Sequence, residues 1–397
     1  MSVPYWLDGA TAIAPPLVGD AKADVLVVGA GLCGASAALS LSRAGVDTLW
    51  LEGGAVAHGA SGRNAGFLLQ GTAERYVRAV AIHGRERARR VHALSRENHR
   101  AMAEEIVNLG LSCGYMRRGS LQLAGSAEEE DDLLASAALL REDGFPADER
   151  HGDALGAALI GAGFRLGVHL PDDGELQPAS FVQGVARAAI SHGVRLHEHT
   201  PVTRIDAPAP GDVRAWTPTG EIRAQIVLVC TNAAAGSLLP SLSGSIDAVR
   251  GQMLATAPAP PTFECPIYAD HGFDYWRQDE HGRIALGGWR NLDPEGEVGP
   301  DEMLHPLIQE RMTAFLQRFP SLRDVPVTHR WSGTMGFSRD SLPLVGAVPS
   351  APGALVAAGF TGHGFGFAWS CGRALADLVL EGRSEAADLF PARRVRL

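Results

Sequence analysis

Three glycines near the N-terminus have the spacing of a phosphate-binding turn. Gly29, Gly31 and Gly34 fit the pattern G-x-G-x-x-G, follow an apolar run at residues 25–28 and open a stretch with helical spacing. In such a unit the first glycine permits a tight turn, the second lets a pyrophosphate approach the backbone, and the third lets the helix pack closely on the strand. The N–H groups at the helix N-terminus attract the phosphates. The motif, with its Leu32 and Cys33, therefore predicts a dinucleotide site.

An acidic residue ends the next predicted strand, at residues 48–52. Glu52 stands 21 positions after Gly31 and is followed by Gly53. At this place a carboxylate can accept hydrogen bonds from ribose hydroxyls. Because it also repels a 2′-phosphate, NADP is disfavoured, whereas NAD and FAD both stay open.

A second glycine-rich segment, GASGRNAG, spans residues 59–66. We expect it to be a loop, because Gly, Ser and Asn tolerate tight and left-handed backbone. It would bring backbone N–H groups and small side chains to a second, more distant part of a long dinucleotide. FAD needs such a second contact, so the segment favours FAD. The predicted contacts are Ser61, Arg63, Asn64, Ala65 and Gly66.

Composition disfavours several other classes of protein. With 35 basic against 45 acidic residues, the net charge of −10 argues against a nucleic acid or an anionic membrane as the main partner. Lys22 is the only lysine, which disfavours Schiff-base and P-loop chemistry. Five dispersed cysteines without C-x-x-C predict no metal site and a reducing, cytoplasmic location. The uncharged run at residues 25–42 contains glycines and has no basic segment before it, so we expect no membrane span.

The elements that must position these residues are predicted to be of the α/β type. Residues 25–52 form a β-α-β unit, and residues 275–287 alternate like an antiparallel hairpin. Residues 76–154 are mostly helical in pattern. Further strands are predicted at 194–196, 226–230 and 354–358, and further helices at 178–192 and 367–380.

This order predicts two domains that share the chain in alternating segments. A dinucleotide-binding domain comprises residues 1–75, 155–245 and 330–397. A second, partly β domain, which binds the substrate, comprises residues 76–154 and 246–329.

Several segments resemble the D-amino-acid oxidase, glycine oxidase and sarcosine oxidase superfamily of FAD enzymes. They are VLVVGAGLCGASAALSLSRAG, TLWLEGG, GASGRNAG, SGTMGFSRDSLPLVG and GFTGHGFGFAWSCGRALADL. The resemblance covers nearly the whole chain. PYWLD, APPLVGDAKADV and GASGRNAG are most similar to the γ-glutamylputrescine oxidase-like branch. The implied fold is a Rossmann-like FAD-binding domain of glutathione-reductase type with an inserted antiparallel-sheet substrate domain.

The resemblance also implies cofactor contacts in the second half of the chain. Val202, in the strand after His199, would touch the adenine region through its backbone, and Thr231 joins the cofactor set. A glycine-rich turn that enters a helix would place N–H groups and a positive dipole end beside the flavin, which becomes negative on reduction. The residues implied beside the flavin ring are Gly336, Gly359, Phe360, Thr361, Gly362, His363, Gly364 and Phe365.

Four departures from the family restrict the chemistry. The arginine that binds the substrate carboxylate in glycine oxidase-like members falls on Met335, and the corresponding lysine of sarcosine oxidase-like members falls on Gly366. The resemblance therefore implies an amine whose carboxylate is remote or absent. No cysteine stands near Thr334 for a covalent link, so the FAD would be noncovalent. The lysine that assists oxygen reduction corresponds to about Ala285, so oxygen must react with the help of another group, or the acceptor is not oxygen.

Three side chains are catalytic candidates, each with a structural alternative. His363 would transfer a proton, or it would only support the glycine-rich turn through hydrogen bonds. Arg250 would face the substrate, or it would pair with a carboxylate elsewhere. Tyr275 would form an aromatic wall of an amine pocket, or it would belong to the core together with Trp276 and Trp289.

The function predicted is oxidation of the C–N bond of an amine, either γ-glutamylputrescine-like or secondary. Hydride transfer to flavin N5 would give an imine, which water splits into an aldehyde or keto acid, and O2 would be reduced to H2O2. A dehydrogenase with another electron acceptor is the alternative. An NAD-dependent dehydrogenase would leave GASGRNAG and GFTGHGF without a purpose, and FAD as a structural ligand would predict no turnover. The oligomeric state stays open.

Overall fold

A computed structural model describes residues 3–394, so the predicted domain ends at residues 1 and 397 lie outside the described residues. The strands are β1 (Ala21–Val28), β2 (Thr48–Leu51), β3 (Phe67–Leu68), β4 (Ser120–Leu123), β5 (Asp148–His151), β6 (Leu166–Leu170), β7 (Gly174–Glu175), β8 (Arg195–His197), β9 (Arg204–Ala209), β10 (Asp212–Thr217), β11 (Gly220–Val229), β12 (Ile246–Pro258), β13 (Ile267–Ala269), β14 (Asp274–Gln278), β15 (Arg283–Gly288), β16 (Val327–Ser338), β17 (Leu344–Val348) and β18 (Ala351–Ala358). The α-helices are α1 (Leu32–Arg43), α2 (Ala60–Arg63), α3 (Tyr76–His83), α4 (Arg85–Asn108), α5 (Ala127–Glu142), α6 (Ala157–Gly161), α7 (Pro178–Ser191), α8 (Ala235–Leu238), α9 (Pro306–Leu316), α10 (Gly364–Glu381) and α11 (Glu385–Leu389).

The first sheet carries the predicted β-α-β unit, with the order β17-β18-β11-β1-β2-β8. From β18 to β8 its strands are parallel, and β9 and β10 extend it from β11 as an antiparallel ribbon. Val25 and Val27 pack into one core with α1, α7 and α10, whereas Leu26 and Val28 pack into a second core on the other face. Burial on both faces explains why β1 reads as a continuous apolar run, as parallel strands do.

The second sheet has the order β16-β12-β15-β14-β13-β4-β6-β5. The predicted hairpin is β14 and β15, which pair Tyr275 with Gly287. Helix α9 covers this sheet, and its Phe315 packs edge-on against Trp276 with 4.9 Å between ring centroids. Alternation of apolar and polar residues was therefore a reliable signal for this hairpin.

The distribution of strands differs from the predicted domain bounds in two places. Strand β6 falls within residues 155–245, which were predicted for the dinucleotide-binding domain, yet it pairs with β4 and β5 in the second sheet. Strand β16 runs along β12 on both sides of the predicted boundary at residue 330. A strand belongs to the sheet in which it pairs, and its partner can be far away in the sequence. A pattern of neighbouring residues therefore does not indicate which sheet the strand joins.

Three further observations concern the remaining sequence predictions. In the described part of the chain, no helix combines the length and the apolarity needed to cross a membrane. No group of three or more His, Cys, Asp or Glu side chains within residues 3–394 is arranged to hold a metal ion. All five cysteines are free thiols.

Candidate active site

A cavity of about 470 Å³ is lined by residues of both sheets. It starts at the carboxyl ends of β1, β2 and β11, where ligands of open α/β sheets bind, and extends to the β12–β16 face of the second sheet. Predicted site residues in its wall are Gly29, Gly31, Leu32, Cys33, Glu52, Gly53, Ser61, Arg63, Asn64, Ala65, Val202, Thr231, Tyr275, Phe360, Thr361, Gly362, His363, Gly364 and Phe365.

Five predicted site residues, four of them glycines, do not line this cavity. A Cβ at Gly34 would overlap the carbonyl oxygen of Gly29, so Gly34 serves the close helix–strand contact that its place in the motif predicts. Gly66 has a φ of +76°, and a Cβ there would overlap the carbonyl oxygen of Leu176. Gly336 and Gly359 lie behind the wall beside Asn232 rather than facing the cavity. The fifth is Arg250.

Half of GASGRNAG is a short helix, whereas a loop was expected over the whole segment. Helix α2 occupies Ala60–Arg63, and Asn64 closes it: the Asn64 Nδ2 donates to the carbonyl oxygens of Ala60 and Ser61, both at 2.9 Å, and the Oδ1 accepts from the Gly66 N–H at 2.7 Å. The Ser61 hydroxyl accepts a hydrogen bond from the Leu32 N–H at 2.9 Å. The asparagine that suggested a turn therefore ends a helical turn, and the serine joins it to the N-terminus of α1.

Glu52 also contacts the glycine turn at residues 29–34. Its Oε2 accepts from the Ala30 N–H at 2.6 Å, and its Oε1 accepts from the Gly54 N–H at 2.8 Å. Burial raises the pKa of Glu52, and these two N–H donors oppose that rise. Each carboxylate oxygen has a second lone pair, so the carboxylate can still accept hydrogen bonds from a ligand's hydroxyls.

Two further predicted contacts lie beside the first sheet. Val202 lines the cavity from the loop before β9, so its expected place in a strand was wrong. Thr231 follows β11, and its buried Oγ1 has no hydrogen-bond partner among the described residues. Because buried hydroxyls are normally paired, this oxygen indicates a position where a ligand supplies the partner.

Arg63 binds the protein itself with its guanidinium. Its Nε donates to the His58 carbonyl oxygen and its Nη1 donates to the Ser332 carbonyl oxygen, both at 2.8 Å. Its Nη2 lies 2.8 Å from Glu302 Oε2. Burial lowers the pKa of Arg63, and Glu302 acts against this. Arg63 thus joins α2 to β16 and to the segment at residues 293–305, a partner that sequence reasoning missed.

Arg250 points away from the cavity. Its Nη2 donates to the Gly296 carbonyl oxygen, its Nη1 donates to that of Asp301 at 3.3 Å, and its Nε lies 3.9 Å from Glu297 Oε1. The structure therefore favours the alternative in which Arg250 pairs with a carboxylate. Adjacent residues of a strand face opposite sides, so the neighbouring Gly251 lines the cavity while Arg250 does not.

Aromatic rings form the wall on the side of the second sheet. Tyr268 and Tyr275 stack with 5.6 Å between centroids, and Phe67 meets Tyr268 edge-on at 5.3 Å. Burial raises the pKa of Tyr275 to about 12, so its hydroxyl stays protonated at neutral pH. Trp276 and Trp289 instead pack against Phe315 in the core.

His363 precedes the first residue of α10 and lies 6.3 Å from Tyr268 between ring centroids. Burial lowers its pKa to about 4, so the ring is neutral at neutral pH. Its Nδ1 is buried without a hydrogen-bond partner among residues 3–394. A neutral imidazole ring nitrogen can accept a hydrogen bond from a ligand, but with a pKa of about 4 this ring is a weak base at neutral pH.

The structure also shows the positions at which the resemblance implies that a carboxylate-binding or oxygen-assisting residue has been replaced. Met335 and Gly366 both line the cavity, as the matching of motifs implies. Ala285 is 1% exposed in the core and does not line it. Arg290, which sequence reasoning missed, lines the cavity next to Phe273 and Phe337.

These contacts fit a dinucleotide longer than one phosphate turn can hold. A Cβ at Gly31 would stand 2.9 Å from the Ser61 hydroxyl, so glycine at this position lets Ser61 approach the turn closely. The unpartnered Thr231 hydroxyl and His363 ring nitrogen lie in the wall of the same cavity. The α10 N-terminus adds a positive dipole end at its far side.

Comparisons with known proteins agree with this geometry. Residues 24–378 match the family model described as FAD dependent oxidoreductase, or DAO. The chain is 28% identical to γ-glutamylputrescine oxidoreductase of Escherichia coli, with 92% of this chain and 85% of that protein covered. It is 25% identical to glycine oxidase of Bacillus licheniformis, with 94% and 97% covered. The crystal structure of glycine oxidase from Geobacillus kaustophilus aligns with a TM-score of 0.77 at 24% identity, covering 92% of this chain and 96% of that one.

Proposed function

Because the chain belongs to the DAO family of FAD-dependent oxidoreductases, which act on the C–N bonds of amines and amino acids, we propose that its substrate is a γ-glutamylputrescine-like or secondary amine. We also propose that O2 is the electron acceptor and that H2O2 is formed. The observation that carries the proposal is the single cavity that joins the glycine turn at Gly29 to the aromatic wall of Tyr268 and Tyr275. The predicted fold class and the predicted FAD are confirmed by the family and its structural relatives.

We assign the two ends of this cavity to the two ends of FAD. The turn at residues 29–34 and the N-terminus of α1 would hold the pyrophosphate, since N–H groups and a helix dipole attract anions. Glu52 would accept hydrogen bonds from the ribose. Ser61, Thr231 and the turn at residues 359–365 would hold the remainder without a covalent bond.

FAD supplies the acceptor for two electrons, which is the hard part of the chemistry. The tasks left to this chain are to orient the amine and to keep water away. Stacked Tyr268 and Tyr275 present apolar faces that suit an alkyl amine. His363 is neutral, so it does not repel a protonated amine, and its Nδ1 can accept a hydrogen bond that helps to orient the amine.

Similarity to the E. coli enzyme supports the substrate class. That relative is named for γ-glutamylputrescine, and its identity of 28% extends over 92% of this chain. Met335 and Gly366 stand where glycine oxidase-like and sarcosine oxidase-like members carry their carboxylate-binding residues. Both replacements are uncharged, so a small α-amino acid would lose its main anchor.

Anaerobic mixing of the purified yellow protein with amines tests the proposal. We expect flavin absorbance near 450 nm to bleach with γ-glutamylputrescine or with secondary amines and not with glycine. Admission of air should restore the colour and release one H2O2 per amine oxidised. Bleaching by glycine alone would overturn the substrate class.

A dehydrogenase with an acceptor other than oxygen is the second candidate. Ala285 favours it, because the position that corresponds to the oxygen-assisting lysine is buried in the core. Slow recovery of colour in air, together with fast recovery on adding a quinone, would identify this case. The cytoplasmic location and the two-domain division of substrate and cofactor stay part of the proposal.

A further inference from the structure

Arg290 is a cation in the cavity wall that no part of the proposed function uses. It follows β15 and lies between two aromatic rings, with its Cζ 4.5 Å from the ring centroid of Phe273 and 5.0 Å from that of Phe337. Arginine stacks on aromatic faces in this way because the ring quadrupole attracts its charge. The stacking leaves the edge of the guanidinium, where its N–H donors lie, available to a ligand.

The three arginines that are fully buried within residues 3–394 each have a carboxylate partner. Arg63 lies 2.8 Å from Glu302, Arg250 lies 3.9 Å from Glu297, and Arg277 lies 3.6 Å from Glu175. Among residues 3–394, Arg290 forms no ion pair with a carboxylate. A half-buried cation without an anion is costly, so this site gains stability when a ligand supplies one.

The groups that face Arg290 do not provide that negative charge. Tyr268 and Tyr275 both interact electrostatically with Arg290, and burial raises the pKa of both hydroxyls, so they remain neutral. His363 is also neutral, because burial lowers its pKa. The cavity therefore has a fixed positive charge at Arg290 and neutral polar groups beside it.

We propose that Arg290 binds the carboxylate of the substrate, and that the preferred amines accordingly carry a carboxylate. This inference rests on the proposed function, since it concerns the same cavity and the same substrate. It narrows the proposed class, γ-glutamylputrescine-like or secondary amines, to those members that carry a carboxylate. The proposed carboxylate-binding residue follows the end of β15. It does not stand at position 335 or 366, which correspond to the carboxylate-binding residues of the glycine oxidase-like and sarcosine oxidase-like members.

Ligand binding tests the proposal without turnover. Straight-chain carboxylates of two to six carbons, and the matching amides, are titrated into the FAD-loaded protein while the visible flavin spectrum is recorded. We expect the carboxylates to bind and the amides to bind at least roughly tenfold more weakly, because hydrogen bonds to a charged group are stronger.

Variants separate recognition of charge from a structural role. Arg290→Gln should raise the Kd of the carboxylates by roughly tenfold to a hundredfold and leave that of the amides unchanged. Arg290→Lys should restore part of the difference. Arg223→Gln, at an arginine whose side chain is 61% exposed on β11, is the matched control and should change neither.

Equal Kd values for carboxylates and amides, or an unchanged carboxylate Kd in Arg290→Gln, would overturn the proposal. Anaerobic bleaching by amines distinguishes this failure from failure of the proposed function. If amines bleach the flavin while Arg290→Gln binds carboxylates normally, only the Arg290 proposal fails. If carboxylates bind through Arg290 but no amine bleaches the flavin, the carboxylate anchor stands and amine oxidation fails.

Discussion

The Ser61 hydroxyl oxygen lies 2.9 Å from the backbone nitrogen of Leu32, so helix α2 closes directly onto the first turn of α1. The first N–H groups of a helix have no partner within it. Ser61 supplies one, although it stands 29 residues further along the chain. Two motifs that are separate in the sequence thus form one wall of the cavity.

Ser61→Ala is expected to weaken FAD binding. The variant lacks the hydroxyl group that we assign to FAD. Loss of one hydrogen bond of about 1 kcal/mol corresponds to a roughly fivefold higher Kd for FAD. Titration of the FAD-free protein with FAD, followed by flavin fluorescence, measures it. Ser191→Ala removes an exposed hydroxyl that donates to Ala188, and it should leave the Kd unchanged. Equal Kd values for the two variants would remove Ser61 from the cofactor site.

Gly34→Ala is expected to abolish folding of the first sheet or to lower the free energy of unfolding by more than about 3 kcal/mol, since overpacking against backbone cannot relax easily. The added methyl group would overlap the Gly29 carbonyl oxygen. Gly161→Ala is the control, because a Cβ at that helical glycine meets open space. Thermal unfolding of both variants, followed by circular dichroism, gives the comparison, and a normal Tm for Gly34→Ala would contradict the packing argument.

Glu302→Gln is expected to destabilise the protein by about 1–3 kcal/mol, because it leaves the buried Arg63 cation without its partner. The Glu302 side chain is 21% exposed, which keeps the effect below that of a fully buried pair. Glu295→Gln alters an exposed carboxylate of the same segment and should have little effect. Urea denaturation of the two variants measures the difference in the free energy of unfolding. Equal midpoints would show that the Arg63–Glu302 ion pair contributes nothing to stability.

His363 is expected not to produce a step in the pH profile between pH 5 and 8. Its pKa is lowered to about 4, so the ring is already neutral throughout this range. The rate of anaerobic flavin reduction should depend on pH in the same way in wild type and in His363→Asn. A wild-type step near pH 6.5 that disappears in His363→Asn would mean that the ring titrates at its ordinary pKa.

His92 is expected to make the protein less stable in acid. Burial lowers its pKa to about 4, whereas the unfolded chain has the ordinary value of about 6.5. Between these values only the unfolded chain binds the proton, so the free energy of unfolding falls as pH falls from about 6.5 to 4, by up to about 1.4 kcal/mol per pH unit. His92→Gln should reduce this slope, and His151→Gln, at an exposed histidine, should not. An unchanged slope in His92→Gln would contradict the assignment.

Local patterns predicted those parts of the site that depend on neighbouring residues. The glycine turn, Glu52 and the β14–β15 hairpin each follow from a few consecutive residues, because backbone conformation and alternation are local properties. Strand β6 shows the limit of this reasoning. Its pairing with β4 joins residues more than forty positions apart, and nothing within either strand specifies the partner.

The sequence by itself determined the dinucleotide turn at Gly29, the acidic residue that follows it and, through resemblance, the FAD-dependent class. Only the tertiary structure decided where the charges go. Arg250 and Arg290 are chemically identical, yet one lies near Glu297 and the other lies in the cavity without a carboxylate. The physical reason is that the cost of a buried cation depends on the groups packed around it, and these come from distant segments of the chain.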